Sequence, residues 1–214
     1  DKESAPLPAL LAMAAVHHYL IRKALRTQIS LLLESAEPRE VHHFALLLGY
    51  GADCVNPYLG FEALEYLINQ GELRVEGKKA VHSYIKALEK GILKSLAKRG
   101  ISTLQSYRGA QIFEARGLSK KTVDDYFTGT VSRIGGVGVE IIAQETLMRH
   151  SEAYVLRATD TPFLSTGGVY QWKRDGEFHL WNPESISSLQ DAARNNDRKK
   201  YEEFASMIND QEGN

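Results

Sequence analysis

The chain has 214 residues, 43% apolar and 25% charged, with 26 Lys and Arg against 27 Asp and Glu. That length supports a core without staples and allows one domain or two, while a net charge of −1 leaves no basic field for a nucleic acid backbone. The single cysteine, Cys54, can form no intrachain disulfide and cannot alone supply a zinc or iron–sulfur site.

The lead from Asp1 to Ser4 shows no basic region, apolar stretch and cleavage site in order, so no signal peptide is expected. Pro6 and Pro8 open a helix expected to reach about Arg26, apolar on enough sides to be well buried. Its apolar run, Ala9 to Val16, is far short of the ~20 residues of a membrane span. Ile29 to Leu33 reads as a strand buried on both faces. Pro38 precedes a helix over Val41 to Leu48, and Gly49 and Gly51 stop it. Ala52 to Val55 is the next strand, which places Cys54 in a buried and inert setting. Phe61 to Asn69 and Lys78 to Arg99 follow as helices, the second amphipathic and ended by Gly100.

Ile101 to Leu104 reads as a third strand and Gly109 to Ala115 as a helix. Ser119 is an expected N-cap for Lys120 to Phe127. Strand and helix alternating through short loops argue for an α/β fold of parallel-strand β/α units, Rossmann-like or barrel-like. The rhythm then changes. Thr128 to Gly138 is Gly-rich and irregular, and Val139 to Tyr154 is an amphipathic helix. Arg174-Asp175-Gly176 between Tyr170–Lys173 and Glu177–Trp181 signals a β-hairpin. Helices opened by Pro183 and capped by Asp197 complete a mixed C-terminal segment. The expected division is 1–130 and 131–214. The polar end, Asn209 to Asn214, reads as a linker or frayed end, so both termini are compatible with a piece of a longer polypeptide.

Ligands of parallel α/β folds sit beyond the carboxyl ends of strands. Asn56, Tyr58, Gln105, Ser106, Tyr107 and Arg108 are therefore candidates for one cleft or a domain interface. The ordinary alternative is that loops are polar in any case. His17-His18 and His42-His43 point about 100° apart on a helix, so neither pair chelates one metal easily. One member of each pair is expected to face the core and bond a backbone carbonyl. No metal site is expected. Arg133, Gly135 and Gly136 precede a helix and are weak candidates for cradling a phosphate or flavin. Their spacing matches neither a dinucleotide fingerprint nor a P-loop. Lys86, Lys90, Lys94, Lys98 and Arg99 align on one helix. They form either a solvated face or a dock for an acidic partner.

Several stretches, in order and across nearly the whole chain, resemble the large (alpha) subunit of glutamate synthase. They include Ala15-Val16-His17-His18-Tyr19-Leu20-Ile21-Arg22, Glu37-Pro38-Arg39-Glu40-Val41-His42-His43, Gly100-Ile101-Ser102-Thr103-Leu104-Gln105-Ser106-Tyr107-Arg108-Gly109, Ser132-Arg133-Ile134-Gly135-Gly136 and His179-Leu180-Trp181-Asn182-Pro183-Glu184. The Glu-Pro-Arg-Glu stretch resembles the bacterial, pyridine-nucleotide-dependent form more than the ferredoxin-dependent one.

The resemblance implies a chain of four parts: a glutamine amidotransferase domain, a central α/β domain, an FMN-binding (β/α)8 barrel and a C-terminal β-helix. Ammonia released from glutamine crosses a tunnel to 2-oxoglutarate, and the imine is reduced on FMN fed by an iron–sulfur cluster. On that basis 1–130 is the end of the central domain and 131–214 the lead-in to the barrel. The implied partners are the other domains of the same subunit and a small reductase subunit or ferredoxin. No nucleic acid or membrane partner is expected, and the cytoplasm is the expected location. No catalytic position carries over, since residue 1 is Asp and one cysteine cannot hold the family's cluster. The expected role is scaffold, interdomain contact and tunnel wall, with FMN and the cluster held elsewhere in the subunit. The alternative is a self-contained α/β binder of flavin or phosphate.

Overall fold

A computed structural model describes residues 2–154, 167–168 and 171–210. The chain divides into two compact units between residues 155 and 156.

The first unit opens with α1 (Ala9–Arg22). Ala9, Met13, Ala14, His17 and Leu20 are buried at helical spacing, whereas Val16, Tyr19 and Ile21 are exposed. The buried stripe is thus narrower than expected. The helix also stops earlier, because Ala24 adopts a left-handed φ of 56° and turns the chain away. A 3-10 turn over Arg26–Gln28 follows.

Next come β1 (Leu32–Glu34), α2 (Val41–Gly49) and β2 (Cys54–Asn56). The two strands pair in parallel, Leu32 opposite Cys54 and Glu34 opposite Asn56. This is the expected strand–helix–strand unit, but it is not buried on both faces. Leu32 is 67% exposed and Cys54 is exposed rather than buried. A pair of strands has helices enough to cover only part of its surface, and the sequence run was apolar enough to suggest more.

Helices α3 (Tyr58–Asn69) and α4 (Gly77–Lys98) form the next layer. Gly91 lets α4 approach α2, since a Cβ there would collide with the Val41 side chain. Residues 101–104 are not a strand. Thr103 caps a short helix, α5 (Leu104–Tyr107), its Oγ1 accepting from the Ser106 N–H at 3.3 Å. Nor is 109–115 a helix. Gly109 and Gln111 take left-handed φ values of 68° and 54°, and the chain then enters β3 (Glu114–Leu118).

Ser119 caps α6 (Lys120–Tyr126) as expected, accepting from the Thr122 N–H at 3.2 Å. The Gly-rich segment is more regular than its composition suggested. It forms β4 (Val131–Val137), parallel to β3 with shifts in register. Gly136 crosses so close to the Gly117 backbone that no Cβ fits between them. The unit ends with α7 (Val139–Ala153), which buries no residue.

Two α/β pairs thus recur, β1–α2–β2 and β3–α6–β4, each a separate parallel two-stranded sheet. Three apolar clusters form the core of this unit. Met13, Leu47 and Ala52 lie under the first sheet, beside Leu31, Leu33 and Val55. Ala14, Val123 and Phe127 lock α1 to α6. Leu48, Leu96 and Tyr107 lock α2 to α4 and α5.

In the second unit, Gly176 N–H donates to the Lys173 carbonyl at 3.1 Å, so the Asp-Gly turn is present. No strand flanks it among the described residues, and Tyr170 lies outside them. The hairpin expectation is therefore corrected to a turn. An isolated two-stranded hairpin is only marginally stable, and no described strand lies beside these segments to extend it. Helix α8 (Pro183–Asn195) is capped by Asn182, and α9 (Arg198–Asn209) by Asp197. Trp181 and Tyr201 meet Phe204, with ring centroids 6.2 and 6.1 Å away. No described helix is long and apolar enough to cross a membrane.

Candidate functional site

The most organised polar cluster centres on Asp53, the residue before β2. Its backbone N–H donates to the Leu31 carbonyl at 2.8 Å, and its Oδ2 accepts from the Leu31 N–H at 2.8 Å. These bonds hold Asp53 at the amino end of the first strand pair. Two guanidiniums converge on the carboxylate. Arg26 Nη2 reaches Oδ2 at 2.9 Å, and Arg108 Nη1 pairs with Oδ1. Burial by itself raises the Asp53 pKa, but the Leu31 N–H and the two arginines outweigh it and hold the carboxyl below its ordinary range.

Arg26 is fully engaged. Its Nε donates to His17 Nδ1 at 2.9 Å, Nη1 to the Ile29 carbonyl at 2.6 Å and Nη2 also to the Gly51 carbonyl at 2.7 Å. Gly51, at φ 107°, leaves room for the His17 ring where any Cβ would overlap it. His17 is 7% exposed. Burial, then the neighbouring His18 and Arg26, push its pKa down to about 4. It is thus a neutral acceptor for Arg26. The partner is a guanidinium, not the backbone carbonyl expected from sequence. Burial, then the nearby Arg22, lower the His18 pKa as well, and its Nε2 is buried without a hydrogen-bond partner among the described residues.

The six strand-end candidates do not share one face. Asn56 is at the carboxyl end of β2, its Nδ2 donating to Glu34 Oε2 at 2.8 Å, and the half-exposed Tyr58 opens α3 beside it. Gln105, Ser106, Tyr107 and Arg108 belong to α5 and its cap. Arg108 meets Asp53 at the opposite, amino end of the strand pair. Gln105 and Arg108 line a groove of about 430 Å³ with His17, Arg26, Ser30 and Asp53. Ser106 is exposed. Tyr107 is a core residue at 1% exposure, its hydroxyl donating to the Ala45 carbonyl at 3.1 Å.

The glycine-loop candidates lie in β4 rather than in a loop over a helix N-terminus. Arg133 is solvent-facing, 3.8 Å from Glu114 Oε2. Gly136 serves the crossing at Gly117. Gly138 precedes α7, whose first turn carries Glu140, a charge that repels an anion. His42 is exposed and His43 half-buried, its Nδ1 accepting from the Arg39 N–H at 3.1 Å, so neither faces the core. Lys86, Lys90, Lys94 and Lys98 are solvent-exposed. Among the described residues no cluster of three or more His, Cys, Asp or Glu is arranged to hold a metal. Sequence reasoning missed Arg26 and Asp53. The available signal was an aspartate directly before a strand that is otherwise apolar, a place that demands a cationic or N–H partner.

A family model of the glutamate synthase central domain matches residues 1–119. The chain belongs to this family. Among curated glutamate synthases, the [NADPH] large chain of Bacillus subtilis is 46% identical over 96% of this chain. The [NADH] enzyme of Schizosaccharomyces pombe is 43% identical over 96%, and the ferredoxin-dependent enzyme of Pyropia yezoensis 40% over 97%. The chain spans only 13%, 10% and 14% of those three glutamate synthases. The central-domain match covers α1 to β3 and includes the whole Asp53 cluster.

Proposed function

We propose that this chain is a structural segment of a glutamate synthase, an oxidoreductase that makes L-glutamate from L-glutamine and 2-oxoglutarate with reduced FMN. Its role is scaffold, interdomain contact and ammonia-tunnel wall, and it has no activity alone. In this reading residues 1–130 end the central domain and 131–214 lead into the FMN barrel. Its partners are the remaining domains of the subunit, with a small reductase subunit or ferredoxin delivering electrons in the cytoplasm.

The observation that carries the reading is uncovered apolar surface on elements that normally lie inside a protein. Parallel strands are ordinarily covered on both faces, yet Leu32 is 67% exposed here. Helix α3 buries none of its twelve residues. An apolar groove of about 690 Å³, lined by Phe61, Leu64, Ile68, Val81 and Ile85, runs between α3 and α4. Such surface suits contact with neighbouring domains. A tunnel wall also needs packed, water-poor surface to keep ammonia from protonating.

FMN and an iron–sulfur cluster belong to the whole synthase, and neither Cys54 nor the glycine segment of β4 fits either group. The lone thiol of Cys54 cannot ligate a cluster. Arg133, Gly135 and Gly136 form an exposed strand rather than a phosphate cradle. Assay of the chain with glutamine, 2-oxoglutarate and a chemical reductant tests the reading. No glutamate is expected, and glutamate formed by this chain alone would overturn it.

A further inference from the structure

The groove at the amino end of the first strand pair is unbalanced in charge. Two guanidiniums, Arg26 and Arg108, share one carboxylate, and Asp53 is the sole acidic residue lining the groove among the described residues. The two arginines are not equivalent. Arg26 uses Nε, Nη1 and Nη2 on His17, Ile29, Gly51 and Asp53. Among the described residues Arg108 uses only Nη1, and its Nε is buried with no partner. Two guanidiniums on one carboxylate leave a net positive charge at the groove, and an anion is the group that offsets it best.

The rest of the lining suits an anion. His17, the remaining basic residue, accepts from Arg26 and stays neutral, so it anchors the arginine without blocking the groove. Thr27, Ser30 and Gln105 add polar side chains around the opening. A volume of about 430 Å³ is within the range of small-molecule sites. Nη2 of Arg108 makes no hydrogen bond among the described residues, and a guanidinium N–H makes a strong charge-assisted bond to a carboxylate or phosphate.

We propose that this groove is an oxyanion site, taking the phosphate or carboxylate group of a small ligand on the guanidinium of Arg108. Arg26 and Asp53 are positioning residues that hold that guanidinium in place. The site is independent of the synthase reading, because it rests on groove residues alone.

Nitrogen–proton NMR of the chain, titrated with inorganic phosphate and separately with glutarate, tests it. Sodium chloride at matched ionic strength is the control. The expected result is a saturable shift of the Arg108 Nε–H signal and of the Thr27 to Ser30 amides. Affinity should fall about tenfold in Arg108→Gln and stay unchanged in Lys90→Ala. The stronger of the two ligands identifies the preferred oxyanion. If Arg108→Gln loses its fold, Gln105→Ala together with the wild-type shift map decides. Shifts matched by chloride, shifts centred on the lysine face of α4, or no response to either ligand would overturn the proposal.

Discussion

At the residue scale, His17 and Asp53 set how the fold responds to pH. The His17 pKa lies at about 4 in the folded chain against 6.5 for a free imidazole. Between those values the unfolded chain binds more protons, so stability is complete above pH 6.5 and falls as pH drops toward 4. The loss from this group is at most about 3 kcal/mol. Asp53 acts at still lower pH. Its depressed carboxyl contributes stability above the ordinary carboxylate pKa that is lost as pH falls through its folded value. Urea midpoints measured from pH 7.5 to pH 4 should decline in the wild type and decline less in His17→Gln. Asp53→Asn leaves two guanidiniums facing each other and should cost about 3 kcal/mol by the same measurement. Ala24 offers the opposite case. It adopts φ 56°, and that turn brings Arg26 back under His17. Ala24→Gly should therefore raise the thermal midpoint, by a gain of about 1 kcal/mol.

At the element scale, helices with local stop and start signals were legible in the sequence. Ser119, Pro183 and Asp197 each open a helix where expected, and the caps are formed. Elements that depend on distant partners were not legible. β4 contains Gly135 and Gly136 and exists because β3 runs beside it. A glycine-rich stretch carries no local strand preference. The segment 101–104 is apolar enough for a strand, but Thr103 captures the Ser106 N–H and starts a helix instead. The same locality explains the candidate site. Gln105 and Arg108 were picked out as strand-end residues and do line a groove, yet at the other end of the sheet, through Asp53. Close packing makes one further element testable. Gly91→Ala should cost about 2 kcal/mol through the clash with Val41. Val41→Ala in the same chain should restore most of that, which a double-mutant cycle of denaturation midpoints reads directly.

At the scale of the whole molecule, two small parallel sheets, an unburied α3 and an unburied α7 describe a chain with more surface than its clusters cover. The chain matches the central-domain family and spans 10–14% of three full-length glutamate synthases, which supports the proposal that neighbouring domains cover that surface. The lone cysteine now reads differently from its place in the sequence. Cys54 is exposed in β2 and not shielded in a core, so it lies on surface that a neighbouring domain can cover. The central claim is that this surface is interdomain. Hydrogen exchange of the 214-residue chain, compared with the same segment inside a full-length glutamate synthase large chain, tests it most directly. The account predicts that the amides of β1 and α3 exchange at least tenfold more slowly in the full-length protein, while those of α2, already in the core, change little. Equal exchange of β1 and α3 in both settings would contradict it.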